Sequence, residues 1–147
     1  MQVFHATLWA SSPHLPEGPV VPLRGLPLVT RIPDPAGTPE PFPLSFEQAS
    51  GKMARLDRMI VEPDGSFVYS GNQPAAWQVE GNLFDRDGRL LNVQLWGRCP
   101  PAAFDRLLKC FDWPATQLVF ECVRDGVYLA EAEFRRFAGL SRSDSTD

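Results

Sequence analysis

Three Asp-Gly pairs, each lying between stretches of alternating apolar residues, constrain the fold of this chain more than any other feature. They are Asp64-Gly65, Asp87-Gly88 and Asp125-Gly126. Alternation with a period of two is typical of a strand with one buried face, and Asp-Gly is favoured in the short loops that join antiparallel strands. Three hairpins with x-Asp-Gly loops predict an antiparallel sheet, which we expect to have about six or seven strands.

Residues 77–97 show the clearest alternation and predict a central hairpin. A three-residue loop, Arg86-Asp87-Gly88, brings apolar residues opposite one another, whereas a two-residue loop mixes apolar with polar partners. The predicted pairs on the apolar face are Leu83 with Leu91, Gly81 with Val93 and Val79 with Leu95. Those on the opposite face are Phe84 with Leu90, Asn82 with Asn92, Glu80 with Gln94 and Gln78 with Trp96.

The remaining strands follow the same pattern. One flanking hairpin is predicted to pair Val61 with Phe67 and Met59 with Tyr69. The other is predicted to pair Leu118, Phe120 and Cys122 with Ala132, Ala130 and Tyr128. A first strand over residues 2–10 places Phe4 and Leu8 towards the core, with Val3, His5, Thr7 and Trp9 on its other side.

Two helices are predicted to accompany the sheet. The main one runs from Pro101 to Asp112, since proline is well tolerated in a first helical turn. It has an apolar stripe at i, i+3, i+4 and i+7, formed by Phe104, Leu107, Leu108 and Phe111. A shorter helix is predicted from Ser45 to Leu56, where Ser45 and Gln48 have the spacing of a capping box.

Residues 11–43 hold ten of the fifteen prolines, which argues against a long helix or a central strand there. We interpret this segment as an extended arm lying on the protein's own sheet. A second interpretation is a partner ligand, because the run from Pro19 to Arg24 resembles the polyproline ligands of SH3 domains. The whole pattern predicts one α+β domain over residues 1–140, followed by a flexible tail at 141–147.

Net charge, apolar stretches and cysteine count limit which partners and which cellular compartment are expected. A net charge of −4 without a basic stripe argues against nucleic acid as a partner. No stretch has the length of a membrane span or the pattern of a signal peptide. Three cysteines without framework spacing fit a reducing compartment, so we expect a cytoplasmic protein. The sequence predicts no cofactor and no metal site.

The leading functional prediction concerns the polar face of the central hairpin. Hydrogen-bonding side chains gather there beside exposed aromatic rings, and the candidate contact residues are Glu80, Asn82, Asn92, Gln94 and Trp96. Such a surface suits a small polar ligand or a protein partner, although antiparallel sheets also commonly leave one face in water. We therefore expect a non-enzymatic binding module, with a homodimer as a further expectation.

The alternative prediction is a thiol-dependent redox or transfer enzyme that uses Cys99. This cysteine precedes the main helix and follows Arg98. Both a helix N-terminus and a neighbouring cation favour a thiolate and would lower the thiol pKa.

Two weaker leads concern acids and histidine. Glu131 and Glu133 are predicted to share one strand face, where two carboxylates could hold an ion or a proton. Arg135 and Arg136 offer a simpler role for them, as neutralising partners. His5 is an isolated histidine on a strand, without a metal or triad partner in the sequence pattern.

Overall fold

The computed structural model describes residues 1–11, 15–33 and 39–141, and within them the chain forms nine strands and three helices. The strands are β1 (Phe4–Ala10), β2 (Glu17–Leu23), β3 (Leu26–Arg31), β4 (Met59–Val61), β5 (Ser66–Gly71), β6 (Trp77–Arg86), β7 (Arg89–Arg98), β8 (Leu118–Cys122) and β9 (Val127–Ala130). The helices are α1 (Phe46–Met53), α2 (Pro101–Lys109) and α3 (Glu131–Ala138). The strands form one antiparallel sheet in the order β2-β3-β9-β8-β1-β7-β6-β5-β4.

The mixed α+β architecture is confirmed, but the predicted strand number is too low. The proline-rich segment supplies the two extra strands, β2 and β3, which are joined by a tight turn at Arg24-Gly25. Pro22 lies opposite Pro27 in this pair. Alternate pairs of an antiparallel ladder exchange no N–H bond, so prolines fit there without breaking the hairpin. The segment therefore forms a hairpin at one edge of the sheet, and β3 is the strand next to that edge. Residues 12–14 and 34–38 of the segment lie outside the described residues.

The central hairpin has a different register from the predicted one. Its turn is the two-residue Asp87-Gly88, with φ angles of 52° and 85°, as a tight hairpin turn requires. Phe84 then pairs with Asn92, while the next residue of β6 pairs with Leu90, so Leu91 is an extra residue in β7. This bulge restores the alternation that a two-residue turn alone would have reversed. Beyond the bulge the faces are as predicted, although every cross-strand pair is shifted by two residues. On the turn side of the bulge the prediction is wrong, because Leu90 is buried in the core and Leu91 is the half-buried extra residue.

The last predicted strand is wrong, because residues 131–138 form the helix α3. Three buried side chains, Phe134, Phe137 and Ala138, have the i, i+3, i+4 spacing of a helical face. Gly139 ends the helix in the left-handed conformation, with a φ of 70°. The register of β8 with β9 is also one residue from the predicted one, since Val119 lies opposite Ala130. Beyond residue 141, the predicted tail lies outside the described part of the chain.

The two predicted helices are present, with shorter bounds. Ser45 caps α1, because its Oγ accepts a hydrogen bond from Gln48 N at 3.0 Å. The Gln48 side chain in turn accepts one from Ser45 N at 2.8 Å, which completes the capping box. The apolar stripe of α2 is fully buried, as expected from its spacing.

One core lies between the three helices and the inner face of the sheet. Buried residues of α1, α2 and α3 belong to the same cluster as the inward side chains of the strands. Four phenylalanines form its centre, with Phe120 and Phe134 stacked at 4.2 Å between ring centroids and Phe4 and Phe104 beside them. No helix of the described residues covers the opposite side of the sheet, which we call the outer face.

Candidate functional site

The predicted contact residues all lie on the outer face, near the middle of the sheet. Glu80 and Asn82 are on β6, and Asn92, Gln94 and Trp96 are on β7. Their neighbours in the chain point inward, where Val79, Leu83, Val93 and Leu95 are buried. The alternation of apolar and polar residues is therefore what separates the core from the candidate site.

Trp96 is held across the sheet by the strand on either side of β7. Glu80 lies directly opposite it on β6, and the indole Nε1 donates a hydrogen bond to Glu80 Oε2 at 2.9 Å. His5 lies opposite it on β1, with the two rings 6.0 Å apart and edge to face. Trp96 as a whole is 39% exposed. It is therefore oriented by fixed partners while part of its ring remains open to a ligand.

A second tryptophan belongs to this site, and sequence reasoning missed it. Trp9 on β1 lies opposite Asn92 on one side and Val119 on the other. Its Nε1 donates to Glu121 Oε1 at 3.1 Å, which repeats the indole-to-glutamate arrangement of Trp96. The alternation placed Trp9 on the outward side of its strand. It could not show that β1 lies beside β7, because that pairing joins residues more than 80 positions apart.

Hydrogen-bonding side chains form a continuous row across the outer face. Each member lies opposite the next on the neighbouring strand, from β5 to β9. In that order the members are Ser66, Asn82, Gln94, Thr7, Glu121 and Tyr128. We call it the polar row. Burial raises the pKa of the Tyr128 hydroxyl, and the charge of Glu121 and a hydrogen bond to it raise it further. The row therefore ends in a protonated phenol beside a carboxylate.

Part of the hydrogen-bonding capacity of this face is unused within the described residues. The buried Asn92 Oδ1 has no hydrogen-bond partner there, and a buried acceptor in that state costs roughly 1–3 kcal/mol. The side-chain amide of Gln94 is also without one in the same part of the chain. Asn82, by contrast, donates to the carbonyl of Leu83 at 3.1 Å. Asn92 Oδ1 is enclosed, so the half-buried Gln94 is the amide best placed to bond an incoming ligand.

Phe84 lies at the border of this surface nearest to the bulge at Leu91. It lies opposite Asn92 and is 39% exposed. Aromatic rings thus flank the polar row on both sides: Trp96 on one, and Phe84 with Trp9 on the other.

Cys99 does not have the predicted properties of a reactive thiol. Its side chain is 3% exposed, and burial raises its pKa to about 12. The charges of Arg135 and Arg106 oppose this shift but do not reverse it. Arg98 is exposed and is not among the groups that influence the thiol. The predicted lowering of the pKa is wrong, because loss of hydration outweighs the effect of nearby cations.

Glu131 and Glu133 lie in the first turn of α3 and bond separate partners. Glu131 accepts from Trp113 Nε1 at 2.6 Å and from Arg135 Nε at 2.8 Å. The same guanidinium bonds Asp105 on α2 at 2.7 Å, so it joins the two helices. The prediction that these glutamates share a strand face is wrong. Their roles are structural.

Glu133 satisfies a backbone group that the sheet leaves unpaired. Its Oε2 accepts from Val29 N at 2.7 Å. β3 pairs with β9 only at Arg31 and Tyr128, since the chain turns into α3 directly after β9. The carboxylate takes the place of the missing strand partner for β3.

Two searches of the described residues, for groups of metal ligands and for membrane-spanning helices, have the same outcome. Across residues 1–11, 15–33 and 39–141, no three His, Cys, Asp or Glu side chains are grouped as a metal site would need. No helix in the same ranges is long and apolar enough to cross a membrane.

The comparisons with known proteins assign no relationship. No protein-family model matches the chain, and neither the curated proteins nor the solved structures give a significant match.

Proposed function

We propose that the protein is a non-enzymatic binding module that uses the outer face of the central hairpin. The contact residues are those predicted from the sequence, Glu80, Asn82, Asn92, Gln94 and Trp96. One observation carries the proposal. A row of hydrogen-bonding side chains runs beside a partly exposed, oriented indole on a sheet face that no described helix covers.

The arrangement favours recognition over catalysis. The carboxylate of Glu80 is engaged in orienting Trp96, and no second acid or histidine is hydrogen-bonded to it in the described structure. Acid–base chemistry needs a proton donor or acceptor placed at the reacting group. An oriented ring with unused amide groups beside it provides stacking and hydrogen bonding, which suits a small polar ligand or a protein surface.

The thiol-dependent alternative lacks a supporting observation. With a thiol pKa of about 12, roughly one Cys99 side chain in 100,000 is ionised at pH 7. The SH3-ligand interpretation is also weakened, because Pro19 and Pro22 lie in the paired strand β2. A polyproline ligand has to leave its own sheet before it can enter a partner's groove.

Three further proposals accompany the binding role. We propose that residues 1–140 form one domain, that the protein acts in the cytoplasm, and that two copies associate as a homodimer. Light scattering of the purified protein tests the last of these, since a monomeric mass over the working concentration range contradicts it.

A thermal-shift screen against metabolites, metals and nucleotides tests the binding role. A ligand that binds only the folded protein raises its melting temperature by mass action. We expect a stabilising ligand whose effect is lost in Trp96→Ala and kept in Ile60→Ala. Ile60 is a matched control because it is an exposed apolar residue on the edge strand β4, three strands from Trp96 on β7. A stabilising ligand that is unaffected by Trp96→Ala contradicts the proposed location.

A further inference from the structure

We propose that the ligand of the outer face is a neutral oligosaccharide that lies along the polar row, across the strands and between the two tryptophans. The inference rests on the binding role proposed above and adds the chemical class of the ligand and its direction on the sheet.

The shape of the polar row fits an extended ligand. Its six members occupy six neighbouring strands, from Ser66 on β5 to Tyr128 on β9. With about 4.8 Å between strands, the row is roughly 24 Å long. Apart from Thr7, which is buried, hydrogen-bonding groups thus recur at regular steps along one line. This matches a linear chain of hydroxyl-bearing units better than one compact molecule.

The tryptophans lie on opposite sides of this row. Trp96 follows Gln94 by two residues on β7, and Trp9 follows Thr7 by two residues on β1. Because these strands are antiparallel, the two steps run in opposite directions and place roughly 14 Å between the two Cα atoms. Each indole N–H is bonded to a glutamate, Glu80 or Glu121, which fixes the ring and leaves its face for contact. A sugar ring has an apolar C–H surface that packs against an aromatic face.

The hydrogen-bonding groups beside the rings fit hydroxyls. A hydroxyl both donates and accepts, so it can bond the side-chain amide of the half-buried Gln94, which offers both functions. Glu80 uses only one of its oxygens for the indole, so the other can accept from a ligand hydroxyl.

The charge and composition of the surface argue against other ligands. Glu80 and Glu121 beside the indoles repel phosphate groups, which disfavours nucleotides. Metals lack a three-ligand cluster in the described residues. The centre of a protein–protein interface is typically apolar and aromatic, whereas the centre of this face consists of the polar residues Asn82, Gln94 and Thr7.

Titration with soluble β-linked hexasaccharides of glucose, xylose, mannose and N-acetylglucosamine tests the inference. Binding is followed by tryptophan fluorescence and calorimetry on the full chain, and the disaccharide of each series is measured in parallel. We expect one series to bind, with the hexasaccharide at least about tenfold tighter than the disaccharide because it reaches more of the row. Trp96→Ala and Gln94→Ala should each weaken that binding, by about tenfold for the tryptophan. Trp96→Phe should recover part of the loss, and Ile60→Ala should bind as the wild type does.

The outcomes separate the ligand class from the binding role. If no sugar binds, while another compound in the thermal-shift screen stabilises the protein in a Trp96-dependent way, the oligosaccharide is overturned and the binding role stands. Saturable binding of a basic peptide or of a second copy at this face leads to the same conclusion. If a sugar binds but neither Trp96→Ala nor Gln94→Ala weakens it, both the ligand position and the proposed location of the site are wrong.

Discussion

Replacing Gly81 with alanine tests the packing directly beneath the candidate site. Gly81 is buried in β6, opposite Leu95. A Cβ built on it comes 2.0 Å from the carbonyl oxygen of Gln94 and 2.6 Å from the ring of Phe67, although real Cβ contacts essentially never fall below 3.0 Å. Phe67 is itself buried, and the carbonyl belongs to the strand β7. The methyl group therefore fits only if the central hairpin moves.

The expected cost follows from that displacement. Adding a methyl group to a well-packed core typically costs about 1–3 kcal/mol. We expect about 3 kcal/mol for Gly81→Ala, because a strand backbone has to shift as well as a side chain. For a protein of this size each kcal/mol corresponds to about 2–4 °C. The melting temperature should therefore fall by about 6–12 °C.

Urea denaturation followed by tryptophan fluorescence measures this difference, and Gly51→Ala is the matched control. Gly51 lies in α1, and a Cβ there meets nothing within 4 Å. The same substitution should stabilise the protein by about 0.5–1 kcal/mol, because alanine favours a helix more than glycine does. Stability of Gly81→Ala within about 0.5 kcal/mol of the wild type would refute the reasoning, since ordinary surface changes are of that size.

Three further predictions concern groups away from the outer face. Arg135→Met should destabilise the protein by about 3 kcal/mol in urea, because it removes the buried guanidinium bonded to Glu131 and Asp105; a loss below about 1 kcal/mol contradicts that role. The pKa of the Cys99 thiol rises from 9.0 to about 12 on folding, so its native form holds its proton more tightly. The wild type should therefore lose stability relative to Cys99→Ser as pH rises from 9.0 towards about 12. If the wild type instead gains stability relative to the variant, folding lowers the thiol pKa and the prediction is wrong. Ser45→Ala should cost about 1 kcal/mol through loss of the α1 cap, whereas an unchanged urea midpoint excludes a contribution from it.

Features that depend on residues close in sequence could be predicted. The capping box needs only Ser45 and Gln48, and the stripe of α2 needs only the spacing of its apolar residues. The register of β4 with β5 also follows from a short loop and matches the predicted pairs. In each of these cases the partners lie within about twelve residues, so the sequence pattern contains the whole interaction.

The central hairpin shows where a local pattern becomes ambiguous. The Asp87-Gly88 turn and the burial of Val93 and Leu95 are compatible only if one residue bulges out. Without a bulge, only a longer loop than the tight turn keeps the apolar residues paired. The bulge at Leu91 retains both, and it is the reason that Glu80 faces Trp96 and not Gln94.

The helix α3 was missed although its signals are local. The alternating pattern of the preceding strand continues in the sequence through Tyr128, Ala130 and Ala132. It is misleading because alanine fits the spacing of a helix as well as that of a strand. Acidic residues in the first turn, arginines in the last turn and a following glycine are the signals of a helix. Once Glu131 and Glu133 are placed on a helix, their apparent pairing as a metal or proton site is lost.

Position within the sheet could not be derived from local patterns. Trp9 joins the candidate site only because β1 lies between β7 and β8, a choice made by long-range packing of its buried side chains Phe4, Ala6 and Leu8. The predicted lowering of the Cys99 pKa is wrong for a related reason. Its position before a helix can be read from the sequence, but its burial depends on the complete core.

A partner that binds this sheet is directed to the outer face, because neither edge strand offers a long open ladder. Pro22 on the edge strand β2 lies opposite Pro27, a pair that exchanges no N–H bonds, so the ring nitrogen of Pro22 points to the open edge. An added strand would find no donor there, and proline on an edge is a common protection against such pairing. The other edge strand, β4, is only three residues long. Strand addition is disfavoured at both edges, whereas the outer face presents the polar row and its two oriented indoles in the middle of the sheet. Recognition through side chains, and not through the backbone, is therefore the mode that this fold supports.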